Sequence, residues 1–427
     1  MEAGSRLTIP VDPSIVPSRF LADSFSIAGR QWPVTAPFDS LSNEVTSVPL
    51  LDVGRGNSPL KAEIMESFSQ IYDSGRFIGG PYCQSLEQSV AQLCETQFAV
   101  GCASGSDALL LALMAIDLEP GDEVILPSFT FFATASAITR LGGVPVFVDI
   151  DPQTFNIDPA AIADQITGRT KAIIPVHLFG QSCDMQAIMD LANAHDIKII
   201  EDCAQSIGAT YLGKPVGSIG DVGCFSFYPT KNLGGMGDGG MLTTNDPHIA
   251  DRLRLLANHG MRPRYYHQEI GINSRLDSLQ AAVLCAKMNH IEAWSTQRTE
   301  NAGFYRKLMI ENGLVDHIVL PAENSNSRHV WNQYTIRIPN GWRDNVRQQL
   351  TDMNVGTEIY YPIPLHQQVC FAHVDVERDQ LSQTVRAANE VLSLPIFPEL
   401  TTVEQEYVVQ CLAKVMQAQT GRFRLSA

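Results

Sequence analysis

Short apolar runs alternate with helical segments along the chain from Val48 onward, and this alternation constrains the fold more than any other feature. Such a pattern is typical of a mostly parallel sheet covered by helices. Because ligands of open α/β sheets bind at the carboxyl ends of the strands, we expect the functional residues there. Four runs have the length of a buried strand and are followed by polar or glycine-rich residues: Val124–Pro127, Lys171–Val176, Lys198–Glu201 and Val222–Phe227.

The length of the chain and its change of pattern predict the domains. The 427 residues exceed the roughly 250–300 residues at which one hydrophobic core stops growing. The first residues contain several prolines with weak periodicity. At Ile291 the pattern changes to a longer helix, followed by a strand candidate at Tyr334–Ile338 and a helix at Trp342–Met353. We therefore expect an N-terminal extension or arm over residues 1–46, a large domain over 47–290 and a small C-terminal domain over 291–427.

The composition excludes several classes of function. The formal net charge of -16 repels a polyphosphate backbone and no basic stripe offsets it, so we expect no nucleic-acid partner. Nine cysteines without a CxxC pair indicate neither a zinc ribbon nor a disulfide framework, so we expect no metal site, and reduced thiols in the cytoplasm. No signal peptide is evident, and no segment reaches about 18 uninterrupted apolar residues. We therefore expect a soluble protein that does not bind a membrane.

Lys231 lies after a predicted buried strand and before a run of glycines, in the segment Ser226-Phe-Tyr-Pro-Thr-Lys-Asn-Leu-Gly-Gly-Met-Gly-Asp-Gly-Gly240. Most lysines are solvated, so a lysine chosen blindly would have a surface role. An amine that forms a Schiff base and moves protons needs a lowered pKa, which burial supplies. The glycines would let the backbone approach a flat cofactor closely. Lys231 is therefore a candidate catalytic lysine.

Asp202 ends the predicted strand that begins at Lys198. A carboxylate at the end of a buried strand is costly unless its charge is paired, and a protonated pyridine nitrogen is a natural partner. That pairing keeps the pyridine ring an electron sink. Taken alone, the position is equally compatible with an aspartate that caps a helix.

Three further segments carry little information singly. Residues 104–106, Ser-Gly-Ser, open an apolar helix, where free N–H groups can bind a phosphate. Phe131 follows a strand end, where an aromatic ring can stack on a planar cofactor, although isolated aromatic residues are more often part of the core. Polar residues from Asn273 to Asp277 precede another apolar helix.

The order of these segments is far more specific than any one of them. Together they resemble the DegT/DnrJ/EryC1/StrS family of sugar aminotransferases, from about Pro49 to the C-terminus. This resemblance implies an α/β fold of the fold-type I pyridoxal phosphate (PLP) transferases, similar to aspartate aminotransferase, with a mostly parallel seven-stranded sheet flanked by helices and a smaller α/β C-terminal domain. The most specific pieces are Glu-Asp-Cys-Ala-Gln-Ser, Ser-Phe-Tyr-Pro-Thr-Lys-Asn-Leu-Gly and Gly-Ile-Asn-Ser-Arg-Leu-Asp.

The resemblance also implies a role for each matching residue, within a large PLP-binding domain over residues 47–290. Lys231 resembles the Schiff-base lysine, Asp202 the partner of the pyridinium, and Gln205 the residue beside the ring hydroxyl. Phe131 lies at the position of the stacking aromatic residue. The active unit implied is a homodimer with shared active sites, because one phosphate contact comes from the neighbouring subunit. The phosphate contacts are matched by Gly105, Ser106, Ser226 and, from the neighbouring subunit, Asn273.

One departure from the family pattern is visible at residues 104–106, where Ser-Gly-Ser replaces the more usual Asn-Gly-Thr. Ser106 keeps the hydroxyl that a phosphate contact needs. The lysine at position 231 argues for amine transfer, because the deoxygenating dehydratase relatives carry histidine there. The implied reaction is a ping-pong transfer from L-glutamate to a nucleotide-linked keto sugar, for a surface polysaccharide or a glycosylated metabolite.

The sequences of several segments resemble those of particular branches of the family. Gln205, where other members carry histidine, and the segment from Asn273 to Asp277 resemble the branch that aminates C3 of 3-keto sugars. The segments Arg264–His267 and Tyr360–His366 resemble members that act on UDP-linked 3-keto-hexuronic acids. Arg264 and His267 would bind a diphosphate or a carboxylate of the substrate. The alternative interpretation is that they lie in a solvated loop without substrate contacts. Substrate contacts are thus predicted for Arg264, His267, Tyr361 and His366.

Several alternatives stay open at this point. His177 looks like a family position near the cofactor, and a hydrogen-bonded core histidine is the other interpretation. The chain could aminate C4-keto sugars or be another PLP enzyme of the same fold. A regulatory homologue without turnover is the third possibility, although the acidic charge disfavours direct contact with DNA.

Overall fold

The structure, a computed structural model, describes residues 45–374 and 381–420. From Val45 onward the chain forms one compact unit. The predicted N-terminal arm, residues 1–46, lies outside the described residues except for its last two. The predicted division at residue 290 stays a prediction.

Strands are numbered in chain order, and the regions predicted as strands from the sequence all contain one. The strands are β1 Phe98–Cys102, β2 Glu123–Pro127, β3 Val144–Val148, β4 Thr170–Ile173, β5 Lys198–Asp202, β6 Thr210–Tyr211, β7 Lys214–Pro215, β8 Val222–Ser226, β9 Gly240–Thr244, β10 Ser327–Arg328, β11 Tyr334–Arg337 and β12 Val391–Leu394.

The α-helices are numbered in the same way, and the two predicted in the C-terminal part appear as α10 and α11. Among the described residues, none combines the length and the apolar character needed to cross a membrane. The helices are α1 Val53–Asn57, α2 Lys61–Ser74, α3 Pro81–Leu93, α4 Gly105–Ala115, α5 Phe132–Arg140, α6 Pro159–Ala163, α7 Met185–His195, α8 Pro247–Leu256, α9 Ser278–Met288, α10 Ile291–Glu311, α11 Arg343–Asp352, α12 Ser382–Glu390 and α13 Thr402–Thr420.

A seven-stranded sheet with the order β1-β9-β8-β5-β4-β2-β3 forms the centre of the molecule. The neighbours from β8 to β3 pair in parallel, and only β9 runs antiparallel to its two neighbours, β1 and β8. Helices connect β2 to β3, β3 to β4 and β4 to β5, because parallel strands require a crossover, whereas the hairpin of β6 and β7 lies between β5 and β8. The predicted fold class, a mostly parallel seven-stranded sheet flanked by helices, is confirmed.

The strands are apolar on both faces because helices cover both. All residues of β2 and β9 are buried, as is β5 apart from Lys198 at its start. On one face the sheet packs against the apolar side chains of α4 and α5, and on the other against those of α7. Parallel strands in such a layered fold read as continuous apolar runs, which explains why they were visible in the sequence.

A separate core joins the C-terminal elements. Tyr305 of α10, Tyr334 of β11 and Trp331 are fully buried there, and their rings pack at centroid distances of 5.1 Å and 5.6 Å. The antiparallel pair of β11 and β12 lies in the same core, with α13 packed on α10 and α11. Residues of this core also contact Phe179 and Val48, so the C-terminal elements are firmly packed onto the rest.

The pairing of the central strands brings the candidate residues to one edge of the sheet. Asp202 at the end of β5 is paired with Cys224 of β8. Ser226, which ends β8, is paired with Gly240, which begins β9, so the loop that contains Lys231 starts and ends at this edge. The end of β1 lies beside Gly240 as well and leads into α4.

Candidate active site

Lys231 lies in the loop between β8 and β9, and its side chain lines a cavity of about 630 Å³. Its backbone N–H donates to the carbonyl of Tyr228 at 2.9 Å, which fixes a tight turn around the residue. Burial lowers the pKa of Lys231 to about 8, and the nearby charge of Asp202 opposes part of that shift. An amine with such a pKa is partly neutral near physiological pH, so it can act as a nucleophile or a base.

Asp202 faces the same cavity from the end of β5. One carboxylate oxygen accepts a hydrogen bond from the Thr134 hydroxyl at 2.9 Å, and the other accepts from the backbone N–H of Ala204 at 3.2 Å. The side chain is 5 % exposed, and burial raises the pKa of this carboxyl. No helix begins at Asp202 among the described residues, so it is not a helix cap. The carboxylate is oriented toward the cavity and lacks a strong cationic partner of its own.

The amino end of α4 forms another wall of the cavity. Ser104 caps the helix by accepting the backbone N–H of Asp107 at 3.1 Å, which leaves the N–H groups of Gly105 and Ser106 at the cavity. A Cβ added at Gly105 would lie 2.6 Å from the Cβ of Ser226, so only glycine fits here. Free N–H groups at a helix start, with serine hydroxyls beside them, form a site for a phosphate.

Gln205 is held at the cavity by hydrogen bonds at both ends of its amide. Its oxygen accepts the backbone N–H of Phe179 at 2.7 Å, and its nitrogen donates to the Tyr361 hydroxyl at 3.3 Å. The ring of Tyr361 packs against that of Phe131 with centroids 6.2 Å apart. Phe131 is 56 % exposed and lines the cavity, so its ring face is available to a planar ligand.

The structure thus brings eight of the predicted residues to one cavity and leaves four outside it. Those that line the cavity are Gly105, Ser106, Phe131, Asp202, Gln205, Ser226, Lys231 and Tyr361. Of the other four, Arg264 lies over the ring of Tyr265, 4.8 Å from its centroid, and the Nδ1–H of His267 donates to the carbonyl of His259 at 2.9 Å. His366 is buried and hydrogen bonds to Ser128 at 2.7 Å, and Asn273 is exposed.

Two of the glycines after Lys231 lie against the protein's own backbone. A Cβ at Gly234 would lie 2.3 Å from the carbonyl oxygen of Pro229, and one at Gly240 would lie 2.4 Å from that of Ser104. These residues are glycines because the protein's own backbone approaches them. Within the run, Gly239 lines the cavity, and the expected approach of the other glycines to a flat cofactor stays a prediction.

His177 is a hydrogen-bonded core histidine. It is fully buried, its Nδ1 accepts the backbone N–H of Cys183 at 3.1 Å, and its Nε2–H donates to Glu201 at 3.0 Å. Glu201 also accepts three backbone N–H groups at 2.7–2.8 Å. The adjacent Cys203 completes a compact group of metal-ligand types, but burial raises the pKa of this thiol well above its ordinary value. Glu201 is thus fully occupied within the fold and has no lone pair in reserve for a metal.

Sequence inspection missed several residues of the site. Thr134 lies on α5, and its hydroxyl donates to the Asp202 carboxylate. Nothing in the sequence marked it except its spacing of four residues from Thr130, whose hydroxyl it also contacts. Other cavity residues reach it from distant parts of the chain or follow the motifs already named, and no local pattern set them apart. They are Tyr228, Asp238, Gln333 and Tyr360.

Comparison with known proteins agrees with this geometry. Residues 59–413 match the model of the DegT/DnrJ/EryC1/StrS aminotransferase family. The chain is 48 % identical to a pleiotropic regulatory protein of Geobacillus stearothermophilus, over 86 % of this chain and 98 % of the relative. It is 46 % identical to UDP-N-acetyl-3-dehydro-alpha-D-glucosamine 3-aminotransferase of Acidithiobacillus ferrooxidans, over 83 % of this chain and 94 % of the relative. It is 40 % identical to UDP-2-acetamido-2-deoxy-3-oxo-D-glucuronate aminotransferase of Pseudomonas aeruginosa, over 86 % and 99 %.

Solved structures lead to the same family. DesV of S. venezuelae, in complex with a ketimine intermediate, superposes with a TM-score of 0.83 at 38 % identity, over 89 % of this chain and 100 % of that one. NtdA from Bacillus subtilis, with bound cofactor PMP, superposes with a TM-score of 0.82 at 34 % identity, over 88 % of this chain and 87 % of that one. The family model and these relatives together span nearly all of the described residues. This chain therefore belongs to the DegT/DnrJ/EryC1/StrS aminotransferase family.

Proposed function

We propose that this sugar aminotransferase uses PLP to move an amino group from L-glutamate to C3 of a nucleotide-linked 3-keto sugar. The observation that carries the proposal is the placement of Lys231, Asp202 and the amino end of α4 around one cavity of about 630 Å³. The names of the A. ferrooxidans and P. aeruginosa relatives support a UDP-linked 3-keto substrate.

The residues of the cavity fit PLP. The cofactor carries a phosphate, an aldehyde and a pyridine ring, and the cavity offers a matching group for each. The amino end of α4 with Ser106 and Ser226 would hold the phosphate, and Lys231 would bind the aldehyde carbon. The buried carboxyl of Asp202, whose pKa is raised by burial, would be stabilised by the charge of a pyridinium. The cofactor bound to NtdA supports this assignment.

When bound, PLP supplies an electron sink that makes the α-hydrogen of the amino donor acidic. Lys231 Nζ would remove that proton from the donor carbon in the first half-reaction and would deliver a proton to C3 of the acceptor sugar in the second, because an amine whose pKa is lowered to about 8 can both accept and donate a proton. The Asp202 carboxylate holds the opposing charge, and Thr134 keeps it oriented. Gln205 presents an amide fixed by Phe179 and Tyr361, which suits a contact with the ring hydroxyl.

A half-reaction tests the transaminase proposal. The cofactor-loaded protein mixed with L-glutamate alone should release one equivalent of 2-oxoglutarate per site and lose the visible absorbance of its cofactor. Lys231→Ala should do neither, and borohydride reduction should attach the chromophore to the unsubstituted protein only. If Lys231→Ala keeps a label after reduction, Lys231 is the wrong lysine.

The second half-reaction is tested with a panel of UDP-linked and dTDP-linked 3-keto and 4-keto sugars, read by mass spectrometry. Preferential amination of a 4-keto sugar would contradict the proposed C3 position.

We further propose that the active unit is a homodimer in which Asn273 reaches the partner's site. Asn273 is exposed and does not line the cavity of its own chain. In mixed dimers of Lys231→Ala and Asn273→Asp chains, one of the two sites would combine an intact lysine with an intact asparagine. Mixing the two inactive variants should therefore restore activity. No restoration would indicate that Asn273 acts, if at all, within its own chain.

The location, a second candidate function and the pathway complete the proposal. The described cysteines form no disulfide, which supports the predicted cytoplasmic location. The relative named as a pleiotropic regulatory protein favours a regulatory role as a second candidate function. A protein that regulates without turnover would fail the glutamate half-reaction, so the same assay separates the two candidates. The pathway, amino-sugar synthesis for a polysaccharide or a glycosylated metabolite, follows from the substrate class alone.

A further inference from the structure

Asn232 follows Lys231 directly in the chain, and its side chain does not line the large cavity. It belongs to the Lys231 loop, residues 229–234, and is 6 % exposed. A buried amide that faces away from the proposed cofactor and substrate has no part in binding them. Its hydrogen bonds therefore indicate what it does for the neighbouring lysine.

The Asn232 amide joins the Lys231 loop to a distant segment of the chain. Its nitrogen donates to the carbonyl of Val330 at 2.8 Å, and its oxygen accepts from the side-chain amide of Asn332 at 2.9 Å. These partners lie 98 and 100 positions further along the chain. Asn332 is 8 % exposed, so loss of either bond would leave a buried polar group unsatisfied, which is costly.

The segment that receives this amide is held in one conformation. Trp331, which separates the two partners in the chain, has a φ of 49°, a left-handed conformation that a bulky residue rarely adopts. Its N–H donates to Nδ1 of His329 at 2.9 Å, and its carbonyl accepts from Arg298 at 3.0 Å. Such strain persists only where the surroundings fix the conformation, and it clusters at functional sites.

The same segment also supports Gln205. The backbone N–H of Asn332 donates to the carbonyl of Phe179 at 2.9 Å, and the N–H of Phe179 donates to the Gln205 oxygen at 2.7 Å. Gly180 permits this approach, because a Cβ there would lie 2.9 Å from the Asn332 nitrogen. One continuous set of hydrogen bonds therefore connects the loop of Lys231 with Gln205, and both residues line the large cavity.

We propose that Asn232 and Asn332 are positioning residues, which hold Lys231 where proton transfer requires its amine. A proton acceptor must lie within hydrogen-bond reach of the group it serves, and a displacement of about 1 Å can cost about 10²-fold in rate. The lysine side chain is long and flexible, so a fixed backbone narrows the positions that Nζ can reach. The proposal rests on the proposed role of Lys231 in transamination.

Single-turnover kinetics separate positioning from stability. The cofactor-loaded protein is mixed with saturating L-glutamate, and the loss of visible absorbance is followed. The rate constant reports the placement of Lys231, and the amplitude reports the folded fraction. Asn232→Ala should lower the rate constant about 10–100-fold and keep most of the amplitude.

Asn301→Ala is the matched control, because the Asn301 amide also donates to a backbone carbonyl, that of Phe397 at 2.9 Å, outside the Lys231 loop. The control should keep the rate constant of the unsubstituted protein. A smaller amplitude with an unchanged rate constant in Asn232→Ala would show a structural role alone and overturn the proposal.

A double-mutant cycle tests whether the two asparagines act together. Asn332→Ala should lower the rate constant less than Asn232→Ala does, because Asn232 keeps its bond to Val330. The double variant should be within about twofold of Asn232→Ala, since effects within one hydrogen-bond network are not additive. Losses that multiply would show that Asn332 acts independently of Asn232, which contradicts the proposal.

Amide hydrogen exchange provides a readout that does not depend on turnover. The N–H of Lys231, bonded to the carbonyl of Tyr228, should exchange at least about tenfold faster in Asn232→Ala, whereas the amides of β8 should keep their rates. Unchanged exchange at Lys231, or equal acceleration in β8, overturns the proposal. If the unsubstituted protein does not react with glutamate, the proposed function is wrong, and the exchange rates still decide whether Asn232 holds the lysine.

Discussion

Lys231, in the loop between β8 and β9, and Lys287, which packs against that loop, have the same lowered pKa and different surroundings. Burial brings the pKa of Lys231 and that of Lys287 to about 8, and one carboxylate opposes the shift in each case, Asp202 for the first and Glu399 for the second. Lys287 is tied to the Gly234 carbonyl beside a cavity of about 50 Å³, whereas Lys231 faces about 630 Å³ of free space. A lowered pKa alone therefore does not identify a catalytic lysine. The features that distinguish a candidate catalytic lysine are free space beside its amine for a reactant and the lack of a fixed hydrogen-bond partner among the described residues.

The largest effect should come from exchanging each lysine for methionine, which keeps the length of the side chain and removes the amine. Lys231→Met should lower kcat for amino transfer by about 10³-fold or more, at the upper end of what a positioned proton-transfer group contributes. Lys287→Met should cost less than about tenfold, or 1.4 kcal/mol. Steady-state rates with glutamate and a 3-keto sugar measure both. Equal losses in the two variants would remove the distinction between the lysines.

The next effect distinguishes Asp202, whose charge acts on Lys231, from Glu399, whose charge acts on Lys287. Asp202→Asn should lower kcat roughly 10²-fold, the scale for loss of one oriented electrostatic group. It should also lower the pKa of Lys231 further below about 8, because the Asp202 charge raises it. Acylation rates of the cofactor-free protein against pH, read by peptide mass spectrometry, measure this pKa. Glu399→Gln is the matched control and should leave the Lys231 profile unchanged; a shift of that profile would show that the two sites are coupled.

A smaller effect should follow from adding a methyl group within the loop that contains Lys231 and binds Lys287. Gly234→Ala would place a Cβ 2.3 Å from the carbonyl oxygen of Pro229, so the free energy of unfolding should fall by about 1–3 kcal/mol. Gly303→Ala is the control, since no heavy atom lies within 4 Å of the added Cβ and the residue lies inside α10. The control should be neutral or slightly stabilising. Urea unfolding compares the two, and equal stabilities would show that the loop yields easily.

The smallest effect concerns the pH dependence of stability. The folded-state pKa of Lys287, about 8, lies below its ordinary value of 10.5. Between these pH values the unfolded chain still binds a proton that the folded protein has released, so stability rises with pH. Lys287→Met should reduce that slope by at most about 1.4 kcal/mol per pH unit. Unfolding at a series of pH values measures it, and an unchanged slope would mean that the lysine is not buried in solution.

Local sequence patterns led to several residues of the large cavity because these residues follow the ends of buried strands, and their catalytic roles stay predictions. Lys231 and Asp202 were each found from the predicted strand that precedes or contains them, and Gly105 from the apolar helix that it opens. Lys287 could not be found in this way, because it lies in the apolar helix Ser278–Met288, where its burial depends on packing against a distant loop. The bond between Gln205 and Tyr361 joins residues 156 positions apart, and periodicity carries no information on such contacts.

The residues predicted from loops show the same limit. Arg264, His267 and His366 were placed near the substrate by motif similarity, and in the structure their contacts are with Tyr265, His259 and Ser128. The course of a loop depends on what packs beneath it. The predicted substrate roles of these residues therefore stay predictions.

The placement of the Lys231 loop between β8 and β9 has a consequence for its exchange with solvent. Phe227 donates its N–H to Gly239 and accepts that of Gly235, and both ends of the loop are paired within the central sheet. These hydrogen bonds adjoin β8 and β9, which are interior strands of the sheet. Amide hydrogens at Phe227 and Gly235 should thus exchange nearly as slowly as those of the strands. Slow exchange at these two positions would show that the base of the Lys231 loop is held as firmly as the sheet itself.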